Sequence, residues 1–303
     1  MATPKRLLPL VKNDKPQNLI RGDQVDSRKS GSFSDIFASL VTKYAAIAAH
    51  GSRRSREVIR WTSRNLLNIA MAWVGVMILM AAIRMIWSPT PPANLAQYGE
   101  LAVPHMLVAL APIMGFIIGR NAFLGPSRWR SSTLRIARSN RWHPLSLRDV
   151  IRHPSFGPVG FMASLIIGML LNVGMRSAEF VLAVPALTSE APQWGFALFW
   201  MMTADAVILN FFYMVCFAMA LRSVALFPKM LLFVWLLDLA FQLAIANSAP
   251  VQMMPVEVRA GLQDLLLGKV QKVLISMLIW LPYLILAERV NVTFRHRASA
   301  NRG

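Results

Sequence analysis

The chain has 303 residues, of which 55% are hydrophobic and 15% charged, with a formal net charge of +18. A soluble domain is about 45–50% apolar and about a quarter charged, so an ordinary soluble globule is excluded. The apolar residues fall in long blocks divided by basic segments, which is the pattern of a polytopic membrane protein. One cysteine, Cys216, rules out an intrachain disulfide and a thiolate metal cluster.

The positive charge suggests nucleic acid until it is divided by segment. Residues 1–65 carry a net +8, residues 120–156 a net +7, the turn 222–229 a net +2 and residues 288–303 a net +3. The alternate segments 88–100, 176–192 and 247–272 carry only −1, −1 and +1. Lys and Arg resist translocation and hold their loops on the cytoplasmic side. The charge therefore reports topology, and no nucleic-acid partner is expected.

Residues 1–33 are polar, lack an apolar period and are expected to form a disordered cytoplasmic tail. In 34–50, Ile36, Phe37, Leu40, Val41, Tyr44, Ile47 and Ala48 recur at helical spacing. That helix is too short to span, and an amphipathic helix lying in the headgroup region is the favoured reading, with docking on a partner protein as the alternative. Arg53, Arg54, Arg56, Arg60 and Arg64 follow directly before the first span. Such a juxtamembrane cluster favours anionic lipids at the cytoplasmic face as a partner, with a plain positive-inside anchor preferred over recognition of a specific lipid. No cleavable signal is expected, since the first apolar span begins about 65 residues in.

The first two spans are placed at Leu66–Trp87 and Leu101–Gly119, joined by a proline-rich loop over 88–100 that is expected to exclude helix. Arg84 lies near the end of the first span, where it can snorkel beside Trp87. Gly115 and Gly119 form a G-x-x-x-G pair that lets two helix backbones approach, within the chain or between copies. The loop 120–156 interleaves Trp129 and Trp142 with arginines. Base stacking is one use of that pattern, but beside two spans it reads as a surface-lying segment.

The third span, 157–175, places Gly160, Ser164, Gly168 and Asn172 on one face, a small-residue groove for a neighbouring helix. Arg176 and Glu179 fall in the following outer loop, spaced for a weak local ion pair. The fourth and fifth spans form a hairpin about the basic turn Arg222–Lys229, each with one acid inside it: Asp205 and Asp238. An outer amphipathic helix over 256–272 precedes the sixth span at 273–287. The fold class expected is all-α and polytopic, with six transmembrane helices, both termini cytoplasmic, and one or two interfacial helices.

The stretch WLPYLILAERVNVTF carries Trp280, Pro282, Tyr283, Arg289, Val290, Thr293 and Phe294. It resembles the closing signature of a bacterial inner-membrane family designated domain of unknown function 2569, roughly W-x-P-Y, a few apolar residues, then S-x-R-V-x-x-T-F. Ala287 stands where serine is common. The Phe227-Pro228-Lys229 turn and the Asp205, Asn210 pairing also look like that family. The resemblance covers 157–297 and implies a four-helix inner-membrane module, with the first two spans outside it. It implies no activity.

Ionisable groups inside a bilayer cost about 2.5–3.5 kcal/mol each on insertion scales and face the bundle interior. Asp238 has Gln242 one turn along as a local partner. Asp205 has no polar residue one turn away, so it is expected to be protonated or to pair with another helix, for instance through Asn172. The two acids then read either as neutral staples fixing helix register or as a proton or cation relay. No G-x-S-x-G, H-E-x-x-H, P-loop or G-x-G-x-x-G sequence is present, and the five histidines are not at metal-ligand spacing. No catalytic residue, metal or cofactor is expected. The sequence favours a non-enzymatic structural or accessory membrane module that works with lipid and other membrane proteins. The alternative is a small proton- or cation-coupled carrier using Asp205 and Asp238.

Overall fold

A computed structural model describes residues 57–123 and 142–299. The tail 1–33, the amphipathic segment 34–50, Trp129 with most of its arginine-rich loop, and residues 300–303 lie outside the described residues.

A segment inside lipid must satisfy its backbone hydrogen bonds internally, and the apolar blocks do so as helices. Six are long and apolar enough to cross a membrane: α1 (Leu66–Ile86), α2 (Leu95–Ala122), α4 (Phe161–Ala183), α5 (Gln193–Leu221), α6 (Phe227–Ala246) and α8 (Val256–Leu286). Three shorter helices, α3 (Leu147–Arg152), α7 (Ala249–Gln252) and α9 (Glu288–Arg295), lie between or after them. The protein is an all-α, multi-pass membrane protein. Among the described residues one departure appears, a ribbon in which β1 (Trp142–Pro144) pairs antiparallel with β2 (Arg297–Ser299).

The helix α5 is the central post, with 67% of its apolar window buried, whereas α1 at 6% is a peripheral helix facing lipid. Among the described helices, α2 packs most extensively against α5. Gly115 and Gly119 make that approach possible. A Cβ at Gly115 would land on the Phe211 carbonyl, and one at Gly119 would sit 3.0 Å from Val215 Cα. The G-x-x-x-G pair is thus used within the chain. Pro104 and Pro112 lie inside α2, where a membrane helix accommodates them.

At one end of the bundle the loops are laced together. Arg84 donates to Val184 O at 2.9 Å, Ser88 Oγ to Ala186 O at 2.7 Å, and Ser189 N to Glu100 at 2.7 Å. At the other end Thr293 Oγ1 accepts from Gly157 N at 3.1 Å, while Val290 and Phe294 are buried, Phe294 against Phe227.

Several sequence boundaries are corrected. Helix α2 starts at Leu95, inside the segment expected to exclude helix: the prolines end at Pro92, and the Asn94 side chain caps Gln97 N at 3.0 Å. Helix α4 runs on to Ala183, so Arg176 and Glu179 belong to a span and not to a loop. The expected outer helix over 256–272 is continuous with the sixth span as α8. Ala287, in an extended conformation, ends α8, and Arg289 sits in the first turn of α9. Trp142 belongs to the ribbon, with the Arg297 guanidinium 5.6 Å from its ring centroid.

Candidate functional site

Four ionisable side chains from four spans converge in the bundle. Arg176 lies seven residues before the end of α4, about 10 Å along the axis. Asp205 comes from α5, Asp238 from α6 eight residues before its end, and Lys269 from α8. All four are buried, both carboxylates with no exposure at all. Arg176 NH1 donates to Asp205 Oδ1 and Oδ2 at 3.3 and 3.1 Å, and its NH2 donates to Asp238 Oδ2 at 2.5 Å. Lys269 Nζ donates to Asp205 Oδ2 at 2.8 Å. Gln242 Nε2 lies between the acids, 2.9 Å from Asp205 Oδ1 and 3.1 Å from Asp238 Oδ1. The Tyr213 hydroxyl, from α5, completes the set on Asp238 Oδ2 at 3.0 Å.

Every one of these contacts brings a donor to a carboxylate oxygen, the arrangement an ionised, acceptor-only carboxylate requires. Two cations against two carboxylates leave the cluster neutral. Neutrality matters because an uncompensated ion in a low-dielectric interior carries a penalty of several kcal/mol.

The cluster is not sealed. Helices α4 and α8 make few direct contacts, and a cleft of about 390 Å³ opens between them over a floor of Leu231, Trp235 and Tyr213. Arg176 and Lys269 form part of its wall, while both aspartates lie behind them. Arg176 Nε is buried without a hydrogen-bond partner among the described residues. At the cleft's edge Lys272 pairs with Glu179. At the opposite end Phe161 closes on Trp280 and Tyr283, with ring centroids 4.6 and 4.9 Å apart.

Of the residues singled out in the sequence, Asp205, Asp238 and Gln242 come together. Asn172 does not join them: it faces the cleft, and the donors on Asp205 are Arg176, Lys269 and Gln242. Of the two arrangements expected for Asp205, the structure shows pairing with other helices, through Arg176, Lys269 and Gln242 in place of Asn172. Among the described residues, no neighbouring helix packs along the small-residue face of α4 at Ser164 and Gly168. Ser164 and Gly168 are exposed, Gly168 lines the cleft, and no described atom lies within 4 Å of a Cβ built on it. Gly160 has a positive φ of 67° and caps α4. Asn210 does not reach the acids and donates to Ser177 at 2.8 Å. The local Arg176–Glu179 pair gives way to Arg176 with the two acids and Glu179 with Lys272.

Sequence reasoning missed Arg176, Lys269 and Tyr213. A signal for the two cations was present. No proline interrupts the chain between Arg176 and Pro185, or between Lys269 and the sixth span, so each helix was free to carry its cation inward. Among the described residues no group of three His, Cys, Asp or Glu side chains is placed to hold a metal ion.

No family model, curated protein or solved structure matches the chain. The fold and the site define its class: a multi-pass helical membrane protein with a buried four-charge cluster behind a cleft.

Proposed function

We propose that the protein is a small membrane carrier in which Asp205 and Asp238 couple movement of a ligand to a change in their own pairing. The observation that carries this reading is the double role of Arg176 and Lys269. They are the cationic wall of the cleft and also the charged partners of the two acids. A ligand that draws either cation away leaves a carboxylate under-compensated, and in a low dielectric that favours taking up a proton. Ligand occupancy and protonation are then linked through the same side chains.

The proposal places the protein in a bacterial inner membrane, with both termini on the cytoplasmic side. The separation of basic from nearly neutral loops supports that orientation. Kinship to the four-span family resembled by the Trp280–Phe294 stretch belongs to the same proposal. A second reading, a static accessory module, is favoured by the full internal pairing of the four charges, which fixes four helices in register.

Alternating accessibility separates the two. With Cys216→Ala removing the native thiol, Ser276→Cys places one thiol on the α8 wall of the cleft. A membrane-impermeant maleimide is applied to oriented vesicles from each face in turn. A carrier exposes that thiol to both faces, with the ratio shifting between pH 5.5 and 8; labelling from one face only, at every pH, overturns the carrier reading in favour of the static module.

A further inference from the structure

The cleft has a chemical gradient along its length. Toward the ends of α4 and α8 nearest the 184–192 loop it is lined by Glu179, Lys272, Arg176 and Lys269. Further along, its walls become Leu171, Gly168 and Leu165 on α4 and Val273 and Trp280 on α8. From Arg176 to Leu165 is eleven residues, about 16 Å of helix. That is close to one leaflet of a hydrocarbon core about 30 Å thick.

The lining charge is also one-sided. Three cations, Arg176, Lys269 and Lys272, face the space, against one carboxylate, Glu179, because both aspartates sit behind the wall. Arg176 is 94% buried, and its Nε lacks a hydrogen-bond partner among the described residues. Lys269 Nζ offers three donors and places one on Asp205. An incoming anion therefore meets donors already fixed in place. The volume of about 390 Å³ falls within the range of about 300–1,000 Å³ usual for small-molecule sites. Leu171, Met175 and Ile275 at the rim are each more than half exposed, so the trough opens sideways toward lipid.

We propose that this cleft binds an anionic amphiphile: an acyl chain lies in the trough between α4 and α8, and its carboxylate or phosphate head is held by Arg176, Lys269 and Lys272. The inference rests on the carrier reading and names its cargo class. The ligand enters laterally from the bilayer. Its head competes with Asp205 for Lys269, and its chain fills the space left open at Gly168.

The test is photolabelling of the full-length protein in neutral phosphatidylcholine nanodiscs. A diazirine-bearing fatty acid is compared with the fatty alcohol of the same chain, and the labelled residues are mapped by peptide mass spectrometry. The acid is expected to label residues 165–175 and 273–280, and the alcohol to label them weakly. Excess oleate and excess phosphatidylglycerol are then added separately. Competition by oleate alone assigns a free carboxylate, competition by phosphatidylglycerol a lipid phosphate, and either supports the site.

Lys272→Gln, at a half-exposed position outside the four-charge cluster, is expected to lower cleft labelling about fivefold, the factor one basic side chain near a membrane surface contributes. Gly168→Leu, at a position where an added Cβ meets no described atom within 4 Å, is expected to abolish it by filling the trough. Equal labelling by acid and alcohol, or labelling unchanged in Gly168→Leu, overturns the proposal. The two readings fail separately. Anion-selective labelling with one-sided reactivity of the residue 276 thiol leaves a lipid site on a static module; two-sided reactivity without anion-selective labelling leaves a carrier of some other cargo.

Discussion

Arg176 binds Asp205 and Asp238 at once, at 3.1 and 2.5 Å, although each of the three stands on a different membrane helix. One guanidinium thus fixes α4, α5 and α6 against each other. Its planar fork of donors suits this task in a way a single ammonium does not.

Removal of that bridge is the most severe single change expected. Arg176→Gln leaves Asp238 without a cation, and stripping one partner from a buried ion pair costs about 3–5 kcal/mol. The fully buried Cys216 is the chain's single cysteine, so a thiol-reactive dye reports unfolding directly on heating in detergent. Arg176→Gln should show a large fall in melting temperature, and Arg176→Gln/Asp238→Asn should recover much of it. A double variant as unstable as the single one would argue against charge compensation as the cause.

The glycines should divide by environment. Gly115→Ala drives a methyl group into the Phe211 backbone of α5, and overpacking of this kind costs about 1–3 kcal/mol. Gly174→Ala, with no described atom within 4 Å of its new methyl, should instead stabilise α4 by about 0.5–1 kcal/mol through helix propensity. The same thermal assay reads both, and the opposite signs are the point of the comparison.

Thr293 Oγ1 accepts the Gly157 amide in a buried hydrogen bond that ties α9 to the start of α4. Thr293→Val keeps the shape but leaves that donor unsatisfied, at a cost of about 1–3 kcal/mol. Thr293→Ser, which retains the oxygen, should lose less. Amide exchange at Gly157 should quicken in the valine variant and stay slow in the serine one.

The ribbon end should be sensitive to acid. Burial lowers the pKa of His296 below the usual histidine value, so the folded state disfavours the charged ring more than the unfolded chain does. The stabilising contribution is full above about pH 6.5 and is lost as pH falls from there through the depressed folded value. Leu145 N donates to His296 O at 2.8 Å. Its amide should therefore exchange faster, relative to intrinsic rates, at pH 5 than at pH 7.5. His296→Gln should remove the difference.

The orientation has its own check. Impermeant labelling of single cysteines at Pro91 and Trp142 in intact cells should reach position 91 and not 142. Reaction of both positions from outside would contradict the charge-sorted topology.

The sequence alone determined the number of membrane helices, their approximate places and the two intramembrane acids, because lipid thickness and the cost of a charge in hydrocarbon act on local composition. The use of Gly115 and Gly119 was half legible: small residues permit close approach, but only the packing decides that the other helix is α5 of the same chain. The partners of the acids were not legible. Arg176 and Lys269 lie near the ends of apolar blocks, where the sequence assigns Arg176 to a loop and Lys269 to an outer amphipathic helix, and only the continuation of α4 and α8 carries them inward. Whether Arg176 meets Glu179 three residues away or two carboxylates 29 and 62 residues away depends on which helix faces which. That is a property of assembly, fixed when four spans pack together and the charges must find one another without water.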